Sequence, residues 1–289
     1  MPTLKIYYQL TKPGIIRGNL ITAAAGFLLV QHMHINIGLM ASTLAGIALV
    51  IASACVFNNY IDRGLDARMD RTKKRALVSG EITARRALIY AAVLGLLGFV
   101  DLAVYVNWLT IIIGAVGFID YVFLYGLAKR RSWHGTLVGS LSGSAPIVAG
   151  YTAAANRLDG GALILFLILT FWQMPHFYSI AMYRQDDYAS AGLPVLPLVR
   201  SARQTKLQIA LYIAAFTAAC ALLTLFGYTG YIYLVVVAAL GLAWLRLSLL
   251  GFQSKAKRTD ERWAKRMFFF SLLVILGTSI MIAVGPRLP

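Results

Sequence analysis

The stretch 58–80, NNYIDRGLDARMDRTKKRALVSG, directly follows an apolar run that begins near Gly38, and its reading decides how the rest of the chain is understood. Asn58, Asp62, Asp66 and Asp70 recur every four residues, so a helix continuing past the apolar run would project all four from one face, about 5–6 Å apart. Like charges at that spacing cost a helix about 0.2–0.5 kcal/mol per pair, a cost that a bound cation would relieve. Arg71, Lys73, Lys74 and Arg75 follow at once. Magnesium held by one or two carboxylates completes its shell with water and substrate phosphate, and phosphate oxygens favour Arg and Lys. Acid followed by base at the end of an apolar helix therefore predicts a magnesium diphosphate site at a membrane surface. A solvated loop whose bases only fix membrane orientation would account for the cations. It would not account for the four-residue register of the acids.

Outward from this stretch the chain is a succession of apolar runs. Of its 289 residues, 59% are hydrophobic and 13% charged, and the mean hydropathy is +0.72, outside the balance of soluble domains. No barrel-like alternation is present. The expectation is an all-α integral membrane protein, a single domain over 1–289, with nine transmembrane helices in one bundle. The spans are predicted at about 15–32, 38–60, 87–106, 108–127, 134–154, 161–183, 207–226, 230–251 and 267–285. The start, MPTLKIYYQLTKPG, lacks an early apolar core with a small-residue cleavage site, so the first span is expected to be retained.

A net charge of +16 raises the question of nucleic acid, and the positions of the bases answer it. All Lys and Arg except Arg157, Arg246 and Arg287 fall in the leader, at the start of the first span, or in the even-numbered connections. The positive-inside rule then places the N-terminus in the cytoplasm and the C-terminus outside, as in a multi-pass protein of a bacterial inner membrane. The charge reports topology, and no nucleic-acid partner is expected. Cys55 and Cys220 lie in separate apolar runs and read as packing residues. Lys12 and Arg17 read as snorkelling anchors within reach of an anionic group, and His32 and His34 as an exposed outer loop. Gly135, Gly139 and Gly143 predict close helix packing, and Pro146 a kink.

The second informative stretch is 171–197, FWQMPHFYSIAMYRQDDYASAGLPVLP. Pro175 removes a backbone donor and is expected to open the helix near His176. On a continuing helix His176, Ile180, Arg184 and Asp187 share a face, with His176 about 16 Å below Asp187. The imidazole is either a ligand to something in the bundle or a hydrogen-bonded packing residue against Trp172 and Tyr183, and the residues alone leave both open. The same holds for Asp120, about 13 Å inside the basic end 129–131: a site carboxylate or a protonated acid between helices. Two acidic clusters, at Asp62 and Asp187, each after an even-numbered span, suggest two halves around one site. A secondary transporter could also be built from paired intramembrane acids, but its site is expected nearer the midplane.

The run Asn58, Asp62, Asp66 with RTKKRAL resembles the first aspartate-rich motif of the UbiA superfamily of intramembrane prenyltransferases. TKPGIIRGNL at 11–20, CVFNNYIDRGLD at 55–66, GTLVGSLSGSAP at 135–146, WQMPHFYSIAMYRQDDY at 172–188 and PVLPLV at 194–199 resemble its haem-modifying branch. The resemblance implies nine helices around a central cavity open toward lipid, with the active site at the cytoplasmic side, and Asn58, Asp62, Asp66 and Asp187 as catalytic residues, with Asp62, Asp66 and Asp187 holding Mg2+. It implies Lys73, Arg75 and Arg184 on the diphosphate and His176 at the haem. The implied substrates are farnesyl diphosphate and haem B, and the implied partners are membrane lipid and a terminal oxidase or other haem-handling membrane proteins. A relative acting on a hydroxybenzoate, naphthoate or chlorophyllide acceptor is the alternative within the family. The second motif carries Asp186 as well as Asp187, where the family leads us to expect one.

Overall fold

The computed structural model describes residues 3–253 and 256–289; Ser254 and Lys255, part of the predicted basic turn, lie outside them. Among the described residues there is no strand. The chain begins with a short helix α1 (Leu4–Leu10), turns at Thr11 and Lys12, and enters α2 (Pro13–Val30) with Pro13 at its first position, where a missing N–H costs nothing. Lys12 is left-handed at φ 54°, a conformation that Lys rarely adopts. Then follow α3 (Ile37–Ile61), capped by Asn36, the one-turn helices α4 (Arg63–Asp66) and α5 (Ala76–Ser79), and α6 (Ala84–Tyr105), capped by Thr83. The helix α7 (Trp108–Ile119) passes through a π-helical segment, Asp120–Leu124, into α8 (Tyr125–Arg131).

The second half runs α9 (Gly135–Ala155), α10 (Gly160–Tyr183), α11 (Gln185–Ser190), α12 (Leu196–Val199), α13 (Ala202–Leu225), α14 (Tyr231–Leu250) and α15 (Lys257–Val284). Eight helical segments are long and apolar enough to cross a membrane: α2, α3, α6, the Trp108–Arg131 rod, α10, α13, α14 and α15. Helix α9 is not among them, because its Gly, Ser and Thr residues dilute its hydropathy. It is an inner helix instead. A side chain at Gly26 of α2 would strike the Ile147 backbone, and one at Gly150 would strike that of Ala23, so α2 and α9 meet backbone to backbone. On its other side Gly143 admits Gln173 of α10, whose amide donates to Ser140 O (3.1 Å), Ser144 Oγ (3.1 Å) and Leu169 O (3.0 Å). Close packing is thus what the glycine spacing produces.

The structure departs from the sequence expectations at three places that matter. The aspartate helix does not continue: α3 stops at Ile61, and the chain turns through α4 and a loop. Asp70 consequently leaves the stripe for the surface, where it pairs with Lys73 (2.6 Å). Helix α10 likewise ends at Tyr183, with Arg184 at φ −113°, so Asp187 belongs to a new turn rather than to the face carrying His176. Helix α10 runs unbroken through Pro175, where an opening was expected, and Ser179 Oγ donates to the Pro175 carbonyl (2.7 Å). Helices α13 and α15 also start earlier than the predicted 207 and 267. A Ser201–Gln204 capping box begins the first. The polar opening turns of the second are tied to α13 by Lys206–Asp260 (2.7 Å).

Candidate active site

The turn that ends α3 does what a straight helix could not: it buries the acids and aims cations at them. Asn58, Asp62 and Asp66 are 3%, 5% and 3% exposed. Asp62 Oδ2 accepts from Lys129 and Oδ1 from Arg130 Nη2 (3.1 Å), which also reaches Ile61 O (2.9 Å). Asp66 Oδ2 accepts from Arg75 Nη1 (2.6 Å), and Thr72 Oγ1 donates to Asp66 O (2.9 Å), folding the 67–75 loop back over the acid. Arg75 also reaches Asn59 Oδ1 (3.4 Å). Lys12 Nζ donates to Asn58 Oδ1 (2.9 Å) from its left-handed perch. Burial pulls the Lys12 ammonium down to about 8, with smaller opposed contributions from neighbouring Cys55, Arg75, Asp62 and Lys129.

Arg75 thus lies at the buried acids, on Asp66. Lys73 does not: it is exposed and paired with Asp70, away from the buried acids' partners. Lys12, Lys129 and Arg130 were read as surface anchors and a basic loop, yet Lys129 and Arg130 bond Asp62 and Lys12 bonds Asn58. The signal that could have found them is that Lys12 and Lys129 each sit at the basic end of a span bordering the one that ends at Asp62.

The second acidic segment comes to the first. Ser190 Oγ donates to Arg68 O (3.0 Å), and Met69 packs with Ala191 and Leu193, with Leu65 and Tyr188 against them. Asp187 pairs with Arg184 (3.6 Å), while Asp186 points outward to Lys257 (2.9 Å). Burial pushes the Tyr188 hydroxyl up, a shift that Arg71 and Arg184 oppose and Tyr183 and Asp187 reinforce. The loops carrying Asp66 and Asp187 are therefore in direct contact, as a shared site requires.

The donor set fits magnesium. Two buried carboxylates one turn apart, with oxygen-only chemistry, match a hard cation that takes one or two protein carboxylates and leaves its other positions to water and phosphate. The Asn58 amide nitrogen is buried without a partner among the described residues, a donor left for an incoming acceptor. Among the described residues no group of three or more His, Cys, Asp or Glu converges to hold a metal. The expected trio Asp62, Asp66 and Asp187 is not gathered as a closed cage, because each acid is occupied by its own base.

His176 is deeper on α10, 9% exposed, stacked on Trp172 (4.7 Å between ring centres) and close to Phe268 (5.0 Å). Its Nδ1 is 2.7 Å from Ser271 Oγ. Ser271 spends its proton on Phe268 O (2.6 Å), so toward the imidazole it accepts, and Nδ1 carries the hydrogen. That leaves the lone pair on Nε2, which has no partner among the described residues and is not one of the sealed, unpaired atoms. Asp120 accepts from the Ser142 amide (3.0 Å), and its other oxygen is buried without a partner among the described residues. Among the described residues no ion pair joins it to the bases that hold Asp62. His134 is exposed against Trp133.

The sequence matches the UbiA prenyltransferase family over residues 19–273. It is 50% identical over 282 residues to a protoheme IX farnesyltransferase of Yersinia pseudotuberculosis, covering 97% of this chain and 95% of that one. It is 48% identical over 287 residues to one of Sodalis glossinidius, covering 99% and 96%. Its fold is similar to that of digeranylgeranylglyceryl phosphate synthase (TM-score 0.80, 19% identity, 98% of this chain and 99% of that chain). It is also similar to a UbiA homologue from Archaeoglobus fulgidus bound to GPP and Mg2+ (TM-score 0.72, 17% identity, 96% and 99%). These likenesses extend over nearly the whole chain and agree with the buried acid and base cluster at the end of α3. The chain belongs to the UbiA prenyltransferase family and is a transferase of the membrane.

Proposed function

We propose that the protein transfers the farnesyl group of farnesyl diphosphate to a vinyl group of haem B, giving haem O and diphosphate. The observation that carries this is the pair Asp62 and Asp66, buried beside Lys129, Arg130 and Arg75 and in loop contact with the Asp187 segment. The name borne by relatives at half identity supports the acceptor, and the GPP and Mg2+ held by the Archaeoglobus homologue support the donor class. The proposal includes nine spans in a single domain about a central cavity, α9 counted with the eight. It also places the N-terminus and the acidic loops on the cytoplasmic side of a bacterial inner membrane and the C-terminus outside. A haem-handling membrane protein or terminal oxidase would take the product.

Asp62, Asp66 and Asp187 would hold magnesium, which when bound supplies a Lewis acid for the departing diphosphate. Arg75, Lys129, Arg130 and Lys12 exchange their carboxylate and amide partners for diphosphate oxygens, so positive charge is already aimed where negative charge develops. Arg184 joins them from the second segment, and Lys73 swings in from the surface. The allylic carbon–oxygen bond breaks with its electron pair going to diphosphate. The vinyl double bond supplies the pair for the new bond to farnesyl C1, and water adds to the resulting carbocation beside the porphyrin, losing a proton. The apolar helices keep water from the allylic cation before that bond forms.

Purified protein in nanodiscs with haem B, farnesyl diphosphate and magnesium should yield a product of the mass of haem O. Turnover only with a different aromatic acceptor would replace haem B in this reading. Binding without turnover would point to carriage.

A further inference from the structure

A cavity of about 360 Å³ opens at the end of the bundle that carries the acidic loops, between the last turn of α10, the α12 turn and the first turns of α13 and α15. That volume lies within the range of small-molecule sites, about 300–1,000 Å³. Met182, Gln185 and Pro197 line one part of it, and Arg200, Lys257 and Glu261 bring charge to it. Its walls are tied together. Gln185 Nε2 donates to Pro197 O (3.0 Å), joining α11 to α12, and Lys206 on α13 pairs with Asp260, also in the lining, on α15 (2.7 Å). Lys257 is held by Asp186 (2.9 Å). Arg200 and Glu261 form no ion pair among the described residues, so the cavity presents one uncommitted guanidinium and one uncommitted carboxylate.

Opposite charges lining one hollow suit a zwitterion: a simple anion would be repelled by Glu261 and a simple cation by Arg200. The elements that wall the cavity also carry exposed apolar side chains, Leu198 and Val199 directly before Arg200 and Leu207 in the second turn of α13. In a bilayer such side chains meet acyl chains, so a ligand with a zwitterionic head and an apolar tail is matched at both ends. We infer that this cavity is a headgroup site for a phosphoethanolamine lipid, with Arg200 on the phosphate and Glu261 on the primary ammonium. A guanidinium grips phosphate through two parallel N–H bonds. A primary ammonium brings three N–H donors to the carboxylate. A trimethylammonium has none, and a glycerol headgroup offers only neutral hydroxyls. Arg200 therefore supplies affinity for any phospholipid, and Glu261 supplies the choice among headgroups.

The test reconstitutes the full chain in bilayers of equal phosphatidylethanolamine, phosphatidylcholine and phosphatidylglycerol, and weighs the lipid that stays bound by native mass spectrometry. Wild type should retain phosphatidylethanolamine about tenfold over the other two, the size of one charge-assisted contact. Glu261→Gln should still retain lipid but without preference among headgroups. Arg200→Gln should retain about tenfold less of all three. Equal retention of the three headgroups by wild type, an intact preference in Glu261→Gln, or undiminished retention by Arg200→Gln would each overturn the assignment. Soluble O-phosphoethanolamine binding as tightly as the lipid would overturn the lipid source and leave a free zwitterion as the ligand.

Discussion

Lys12 concentrates the site's cost and its use in one residue. A left-handed backbone costs a residue with a β-carbon about 1–2 kcal/mol, and glycine escapes it. Lys12→Gly should therefore be more stable than Lys12→Ala by about 1 kcal/mol in a detergent unfolding titration, although both variants lose the ammonium and should bind farnesyl diphosphate more weakly than wild type. Equal stability would mean that the turn carries no strain. Asp62 makes the opposite case. Asp62→Asn keeps the size of the group and most of its hydrogen bonding, so the protein should stay folded while transfer falls by about 10²–10³ in a product assay. Near wild-type turnover in this variant would remove Asp62 from the reaction. The acids were legible in the sequence because carboxylates in register after an apolar run are costly anywhere else. Lys12, Lys129 and Arg130 were not, because a base at a helix end reads the same whether it snorkels to lipid headgroups or turns inward to a carboxylate.

Among the elements, α10 carries the most. Asp159 caps it through the amides of Gly161 (3.0 Å) and Ala162 (3.4 Å) and accepts from Tyr151 Oη (2.7 Å) and Arg157 Nε (2.7 Å). Burial alone would raise its carboxyl, but the bonds from Tyr151, Arg157 and Ala162 and the Arg157 charge outweigh it and hold the group below the usual range. A depressed carboxyl contributes stability that is present above its unfolded value, about 3.9, and is lost as pH falls through the lower folded value. Asp159→Ala should cost about 1 kcal/mol at neutral pH, and the difference from wild type should shrink in strong acid, read from unfolding midpoints at several pH values. A difference that persists in acid would contradict the charged cap. Helix ends are where sequence and structure part. The length of the apolar runs foretold the eight long apolar helices, though α13 and α15 start earlier than expected. The stops after Ile61 and Tyr183 were missed because Gly64 lies inside the next turn and no Gly or Pro directly follows Tyr183. Their cause is tertiary: the loops turn because Arg75, Thr72 and Met69 find partners only if they do.

At the scale of the molecule the acidic loops and the outer turns should lie on opposite sides of the bilayer. Cys55 and Cys220 are buried, so cysteines placed at the exposed Ser79 and Leu158 would report alone. Ser79→Cys should react with a membrane-impermeant thiol reagent only from the cytoplasmic side, and Leu158→Cys only from outside; the reverse pattern would invert the topology drawn from the bases. The two acidic segments touch through Ser190 and Arg68 and through Met69, and the proposed function requires them to use one diphosphate jointly. Affinity for a non-reactive farnesyl diphosphate analogue with magnesium, measured in Asp62→Asn, Asp187→Asn and the double variant, addresses that joint use. Strongly coupled losses, with the double variant little worse than either single one, are expected of carboxylates serving one ligand. Losses that simply add would mean that Asp62 and Asp187 act apart.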